Sequence, residues 1–168
     1  MNINEAIKFL EGKIIDPNIG LPEEIFRFIS RITPLINVDL LIKDEKGRTL
    51  LAWRNDEFFG EGWHIPGGII RFKETFEKRI EKVAEKEIGT KIKFDSVPLE
   101  INQCIGNMKT RGHGLSILYK CFFSSKFILN NKGLNEKDQG FLKWHDSCPK
   151  NLIKGHEMYK KYLGGNFK

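Results

Sequence analysis

The sequence predicts an α/β domain of the α+β kind, with helical and extended segments interspersed along 168 residues. Three observations carry that reading. Short runs rich in β-branched and aromatic residues, bounded by Gly, Pro, Asn and Asp, mark strands. Longer runs with one apolar stripe at helical spacing mark helices. The length suits one domain with a proper core, divided into a helical extension over residues 1–33 and the main body over 34–168.

Composition narrows the class. A hydrophobic share of 40% is ordinary for a globular chain and argues against disorder. No apolar run approaches the length of a membrane span, and MNINEAIKFLEGK lacks a signal-peptide core. Three cysteines, odd in number and widely spaced, fit neither a disulfide framework nor a zinc ligand set. A cytoplasmic location without a membrane partner is the expectation. The net charge of +6 is spread along the chain, with no dense Lys/Arg run, so no nucleic-acid partner is expected; a small anionic substrate would be drawn by the same field.

The elements follow in order. Residues 2 to 12 predict an amphipathic helix with Ile3, Ala6, Ile7 and Leu10 on one face and Asn2 or Asn4 near its start. Asp16-Pro17-Asn18-Ile19-Gly20 is a loop. Leu21-Pro22-Glu23-Glu24 opens a second helix, with Pro and acids in its first turn, ending before Pro34. The two helices either cover one side of the domain or join a partner subunit. Next comes a hairpin: Ile36 to Lys43, a turn over Asp44-Glu45-Lys46-Gly47, and a return over Arg48 to Arg54. Strands follow at Lys91 to Asp95, Leu99 to Cys104 and Leu115 to Phe123. The Gly-punctuated loop between the last two carries Lys109, Arg111 and His113, in a setting where ligand contacts tend to sit. A polar connection over 124–140, a strand from Gly140 to His145 and a helix from Leu152 to Leu163 complete the chain.

The stretch from Trp63 to Gly89, WHIPGGIIRFKETFEKRIEKVAEKEIG, organises the rest. It reads as a short apolar strand, a Pro66-Gly67-Gly68 break and a helix whose stripe is Phe76, Ile80, Val83, Ala84 and Ile88; Gly89 stops it. At about 100° per residue, Glu87 falls inside that stripe. An inward carboxylate is costly unless it is paired or holds a metal, and at a helix end it can also reach solvent.

The spacing Gly68, Glu74, Lys82, Glu87, Gly89 resembles the Nudix box, the loop-helix signature of hydrolases of nucleoside diphosphates linked to another group. Lys82 stands where that pattern has Arg, and Val83 and Lys86 replace two of its acidic ligands; Glu87 keeps its metal-binding place. This reduced box resembles that of the GDP-mannose mannosyl hydrolases, and Pro34-Leu35, Asp39, Leu50-Leu51, Arg54, Trp63 and Pro66-Gly67-Gly68 match that subfamily in order and approximate spacing. The resemblance, from about Pro34 to Trp144, implies a Nudix fold with a mixed β-sheet sandwiched between α-helices. It implies a hydrolase of a nucleotide sugar that uses magnesium, or manganese in its place, and forms a homodimer. Magnesium would be held by Glu87, the Gly67 carbonyl and Asp138. Asp39 would contact the sugar or otherwise bond backbone groups, Arg54 would touch the diphosphate, and Glu74 and Lys82 would form a bracing ion pair.

Two departures stand beside the match. The subfamily's Gln-His pair, metal ligand and base, falls on Asp138 and Gln139, and Gln139 cannot take a proton at neutral pH; the base would then be Asp138, Glu136 or His113. Ile69 replaces an Arg, for which Arg71 could compensate. Attack at phosphorus on a nucleotide, and a nucleotide-binding domain without turnover, are the alternatives.

Overall fold

The structure is a computed structural model that describes residues 1–165. The first helix, α1 (Ile3–Glu11), is closed by a reciprocal cap. Asn2 Oδ1 accepts the Glu5 N–H at 2.9 Å, and the Glu5 carboxylate accepts the Asn2 N–H at 2.8 Å, satisfying two donors that every helix start leaves open. None of its residues is buried. Pro22 and two glutamates open α2 (Glu23–Ile32), which buries Ile25 and Ser30.

Eight strands follow. They are β1 (Leu35–Ile42), β2 (Thr49–Asp56), β3 (Gly60–His64), β4 (Gly67–Ile69), β5 (Lys93–Phe94), β6 (Glu100–Ile105), β7 (His113–Phe122) and β8 (Leu142–His145). They form a mixed sheet in the order β4-β1-β7-β5, with β6 also on β7, and an antiparallel sheet in the order β3-β2-β8.

The expected hairpin between β1 and β2 is therefore a correction. The two strands share the turn and one bridge, Lys43 to Thr49, then part into different sheets. The reason lies in their burial. Leu40, Leu41 and Ile42 on β1, and Leu50, Leu51 and Ala52 on β2, are each no more than 1% exposed. Such continuous apolar runs need cover on both faces. β1 is a central strand, parallel to β7 at one edge and antiparallel to β4 at the other, and its faces are buried in two separate clusters, Val38, Leu40 and Ile42 in one and Leu41 in the other.

A second correction concerns Pro66-Gly67-Gly68, expected as a break. Gly67 and Gly68 are strand residues, in register with Asp39 and Val38. A Cβ on Gly67 would lie 2.2 Å from Asp39 Oδ1, so only glycine lets β4 approach β1 over that side chain.

Thr75 caps α3 (Phe76–Val83) by accepting the Lys78 N–H at 3.2 Å. The helix then widens into a π-turn over Ala84–Ile88 and ends at Gly89 with φ of 78°, its N–H bonded to the Ala84 carbonyl at 3.0 Å, a left-handed cap that glycine adopts without penalty. Ile80, Val83, Ala84 and Ile88 pack on Val38, Leu40, Leu50 and Ala52. On the opposite face, Leu41, Leu51, Trp53 and Trp63 pack on Tyr159 and Leu163 of the C-terminal segment, where a 3₁₀ helix over Lys154–Tyr162 stands in place of the expected α-helix. The sheets thus lie between two helical covers. Among the described residues, no helix is long and apolar enough to cross a membrane.

Candidate active site

A cleft of about 1580 Å³ opens beside the π-turn, walled by β3, β4, α3, the loop between β6 and β7, and the start of the 3₁₀ helix. Its lining holds seven Lys and Arg against four Asp and Glu, so its field draws an anion.

Glu74 braces the wall. Its side chain is 4% exposed and meets Lys82 Nζ at 2.8 Å, Arg79 Nη2 at 2.6 Å and the Arg71 N–H at 2.9 Å. Burial raises the pKa of this carboxyl, but the three donors outweigh it and hold the value at about 2. Arg79, one turn before Val83, was assigned no role in the sequence analysis.

Glu87 differs. It lines the cleft with a side chain 27% exposed, and the described group facing it is His64, Nε2 to Oε2 at 3.7 Å. The π-turn sets its direction, since one extra residue in the turn rotates 84–88 away from ideal helical spacing. Gly67 lies in the same wall. The ladder bonds around it, Leu40 N–H to Pro66 C=O and Ile70 N–H to Ile36 C=O, both 2.9 Å, put Gly67 in a non-hydrogen-bonded pair with Asp39, so its carbonyl turns away from β1.

Asp39 forms the floor. It is 4% exposed, and its Oδ2 accepts the Tyr159 hydroxyl at 2.6 Å. Burial pushes the carboxyl up to about 6, against hydrogen bonds from Tyr159 and Ser116. Beside it, His156 accepts the Ile65 N–H at Nδ1, 3.0 Å; burial, with His64 and Arg54 nearby, drives its pKa well below the usual range.

An aromatic corner closes one end. Asp56 Oδ1 accepts the N–H groups of Phe58 and Phe59, both at 2.9 Å, which fixes the β2–β3 loop as an Asx-type turn. Arg54 pairs with Asp56 and lies 4.8 Å from the Phe59 ring centre. Arg111 stacks 4.5 Å from Phe58 and 5.3 Å from Phe26 of α2. Burial and the nearby Arg54 charge lower its pKa. The helical extension thus supplies part of this corner.

The cleft brings together Asp39, Arg54, Gly67, Gly68, Arg71, Lys82, Glu87 and His113 of the residues singled out in sequence. His113 is the first residue of β7, not a loop residue, with Nε2 3.3 Å from Gln103 Nε2. Arg71 is half-buried with its guanidinium against the Gly20 loop, and its Nε has no hydrogen-bond partner. Gly89 caps the π-turn outside the lining. Asp138 and Gln139 do not line the cleft. Asp138 Oδ2 accepts the Asn135 N–H at 2.6 Å, and Gln139 Oε1 accepts the Asn55 N–H at 2.7 Å. Their turn is tied to the end of β2 instead. Arg111, expected in sequence as one of the basic residues of a ligand-contact loop, also lines the cleft; His64 was given no role in sequence and reads there as one more residue of a strand.

Among the described residues, no group of three or more His, Cys, Asp and Glu is arranged to hold a metal. Beside the π-turn the wall offers the Glu87 carboxylate, which accepts no hydrogen bond from a described residue, and the Gly67 carbonyl, turned out of its ladder. These hard oxygens suit a divalent ion that takes its remaining ligands from substrate and water.

No family profile matches the chain. Solved structures do resemble it. The MutT Nudix hydrolase of Burkholderia pseudomallei matches with a TM-score of 0.61 at 21% identity, over 78% of this chain and 98% of that one. A Nudix hydrolase from Nitrosomonas europaea matches at 0.53 and 12% identity, over 79% and 80%. The chain has the Nudix fold. By sequence it is similar to the low-salt glycan biosynthesis protein Agl8 of Haloferax volcanii, 32% identical over 80 residues, which are 48% of this chain and 51% of that protein. The match spans about half the length of that relative.

Proposed function

We propose that the chain is a divalent-metal-dependent hydrolase of a nucleoside diphosphate sugar, releasing nucleoside diphosphate and sugar in the manner of the GDP-mannose mannosyl hydrolases. The observation that carries this reading is the cleft: an unbonded Glu87 carboxylate set among cations in a Nudix fold. The partial relative with a role in glycan biosynthesis supports a sugar-bearing substrate. The residues divide the work. Arg54 and Arg111, held on the aromatic corner, bind the diphosphate, for which the guanidinium fork is suited. Glu87 and the Gly67 carbonyl would hold a divalent ion, which when bound would supply positive charge beside the leaving diphosphate. Asp39 supports Gly67 from beneath. Of the three groups considered for the base, His113 alone lines the cleft; it takes the proton as the oxygen of water bonds to the anomeric carbon and the bond to the diphosphate breaks. The protein acts as one domain and, by the same resemblance, as a homodimer.

Val83 and Lys86, standing where the signature has acidic ligands, and the want of a three-donor cluster among the described residues favour a second reading, a domain that binds the nucleotide without turnover. Phosphorus NMR of GDP-mannose, GDP-glucose, ADP-ribose and a nucleoside triphosphate with protein and magnesium or manganese separates them. GDP and free sugar are the expected products. A monophosphate product would mean attack at phosphorus, and unchanged spectra would favour the binding domain.

A further inference from the structure

His64 sits in the cleft wall with a geometry that the proposed hydrolysis leaves unused. It ends β3, is 6% exposed and pairs across the sheet with Ala52. Its Nδ1 lies 2.8 Å from the Ala52 carbonyl. A carbonyl only accepts, so Nδ1 carries a proton, and in the tautomer this bond selects Nε2 is the nitrogen left to present a lone pair to the cleft. That atom faces Glu87 Oε2 at 3.7 Å, beyond hydrogen-bond distance. Two acceptors facing one another at this range repel unless a cation lies between them.

We propose that His64 and Glu87 form a mixed nitrogen–oxygen site for a divalent transition-metal ion. Metal-binding imidazoles are oriented in this way, one ring nitrogen donating to a backbone carbonyl or carboxylate and the other left for the ion. Two donors each about 2.1 Å from one ion lie roughly 3 Å apart in neighbouring octahedral positions. Glu87 therefore has less than about 1 Å to close, within reach of a side-chain rotation in a partly exposed residue. The nitrogen sets the preference. Magnesium takes hard oxygen donors, whereas imidazole suits iron, cobalt and zinc. The site selects a transition ion over the magnesium that the loop-helix signature implies. The inference shares Glu87 with the proposed function but is read without substrate.

The test uses the full chain with metal alone. With Mn²⁺ bound, electron spin-echo envelope modulation shows coupling to one directly coordinated imidazole nitrogen, and titration calorimetry shows Co²⁺ binding more tightly than Mg²⁺. His64→Phe, which keeps a ring in the space, abolishes the nitrogen coupling and weakens Co²⁺ at least about tenfold while changing Mg²⁺ affinity by no more than about threefold. Glu87→Gln weakens both ions. Bound Mn²⁺ without nitrogen coupling in the unmodified protein would overturn the proposal and leave His64 as a proton-bridged partner of Glu87. Coupling that persists in His64→Phe would overturn it by assigning the nitrogen elsewhere, and failure of the unmodified protein to bind any of the ions would do the same. The wild-type spectrum does not depend on any variant folding. Unchanged phosphorus spectra alongside intact nitrogen coupling would count against the hydrolase alone.

Discussion

Glu74 and Glu87 stand on one loop-helix and end in opposite states. Glu74 is enclosed, with a lysine, an arginine and a backbone N–H on its two oxygens. Glu87 is reachable and accepts no hydrogen bond among the described residues, the group facing it being Nε2 of His64 at 3.7 Å. Asp39 lies between these extremes: it is buried, but Tyr159 and Ser116 do not fully offset its desolvation. A carboxylate saturated by the protein holds structure. One left unsaturated at a cleft has capacity for a ligand, and the cost of leaving it so is accepted where function needs it.

The sharpest way to break this contrast is to neutralise each carboxylate in turn. Glu87→Gln should cut turnover by at least about 10³-fold, roughly 4 kcal/mol of barrier, with a thermal midpoint matching the parent. A variant that turns over normally would remove Glu87 from the mechanism. Glu74→Gln should do the reverse, costing about 3 kcal/mol of stability in denaturant unfolding because it leaves Arg79 and Lys82 without their shared anion.

The pH dependence has a defined sign. The folded pKa of Glu74, about 2, lies below its ordinary value of 4.5, so the folded state binds fewer protons in that window. Its stabilisation is complete above about pH 4.5 and is lost as pH falls toward 2. The difference in stability between wild type and Glu74→Gln should therefore shrink over that window; a difference independent of pH would contradict the assignment.

Smaller effects test the intermediate case. Tyr159→Phe takes one donor from buried Asp39 and should cost about 1.5 kcal/mol of stability. The smallest expected effect is at Gln139. Its amide bonds the Asn55 N–H outside the cleft, so Gln139→Ala should change stability by no more than about 1 kcal/mol and leave turnover unchanged when release of nucleoside diphosphate is followed by phosphorus NMR.

Local features of the chain were legible because local bonds set them. The Asn2–Glu5 cap, the apolar stripe of α3 and the stop at Gly89 are all interactions within a few residues. What was not legible came from long-range pairing. β1 leaves its sequence neighbour β2 because its partner is β7, more than seventy residues on. Asp138 and Gln139 were placed by counting back from Trp144, which cannot reveal a turn held by Asn55. The wheel marked Glu87 as unusual but could not anticipate the π-turn that aims it. His64 acquires meaning only from Ala52 across one sheet and Glu87 across the cleft.

The bond from Tyr159 to Asp39 joins groups 120 residues apart. A chain made from its N-terminus on the ribosome exposes β1 long before the segment carrying Tyr159 emerges. Until then the floor of the cleft has a carboxylate with no hydroxyl to meet it, and Trp63 lacks the segment over 151–153 whose backbone bonds its edge. A truncated or prematurely released chain could contain the whole loop-helix and still lack a finished cleft. Emergence of the segment that carries Tyr159 is in this sense the last step in assembling the site.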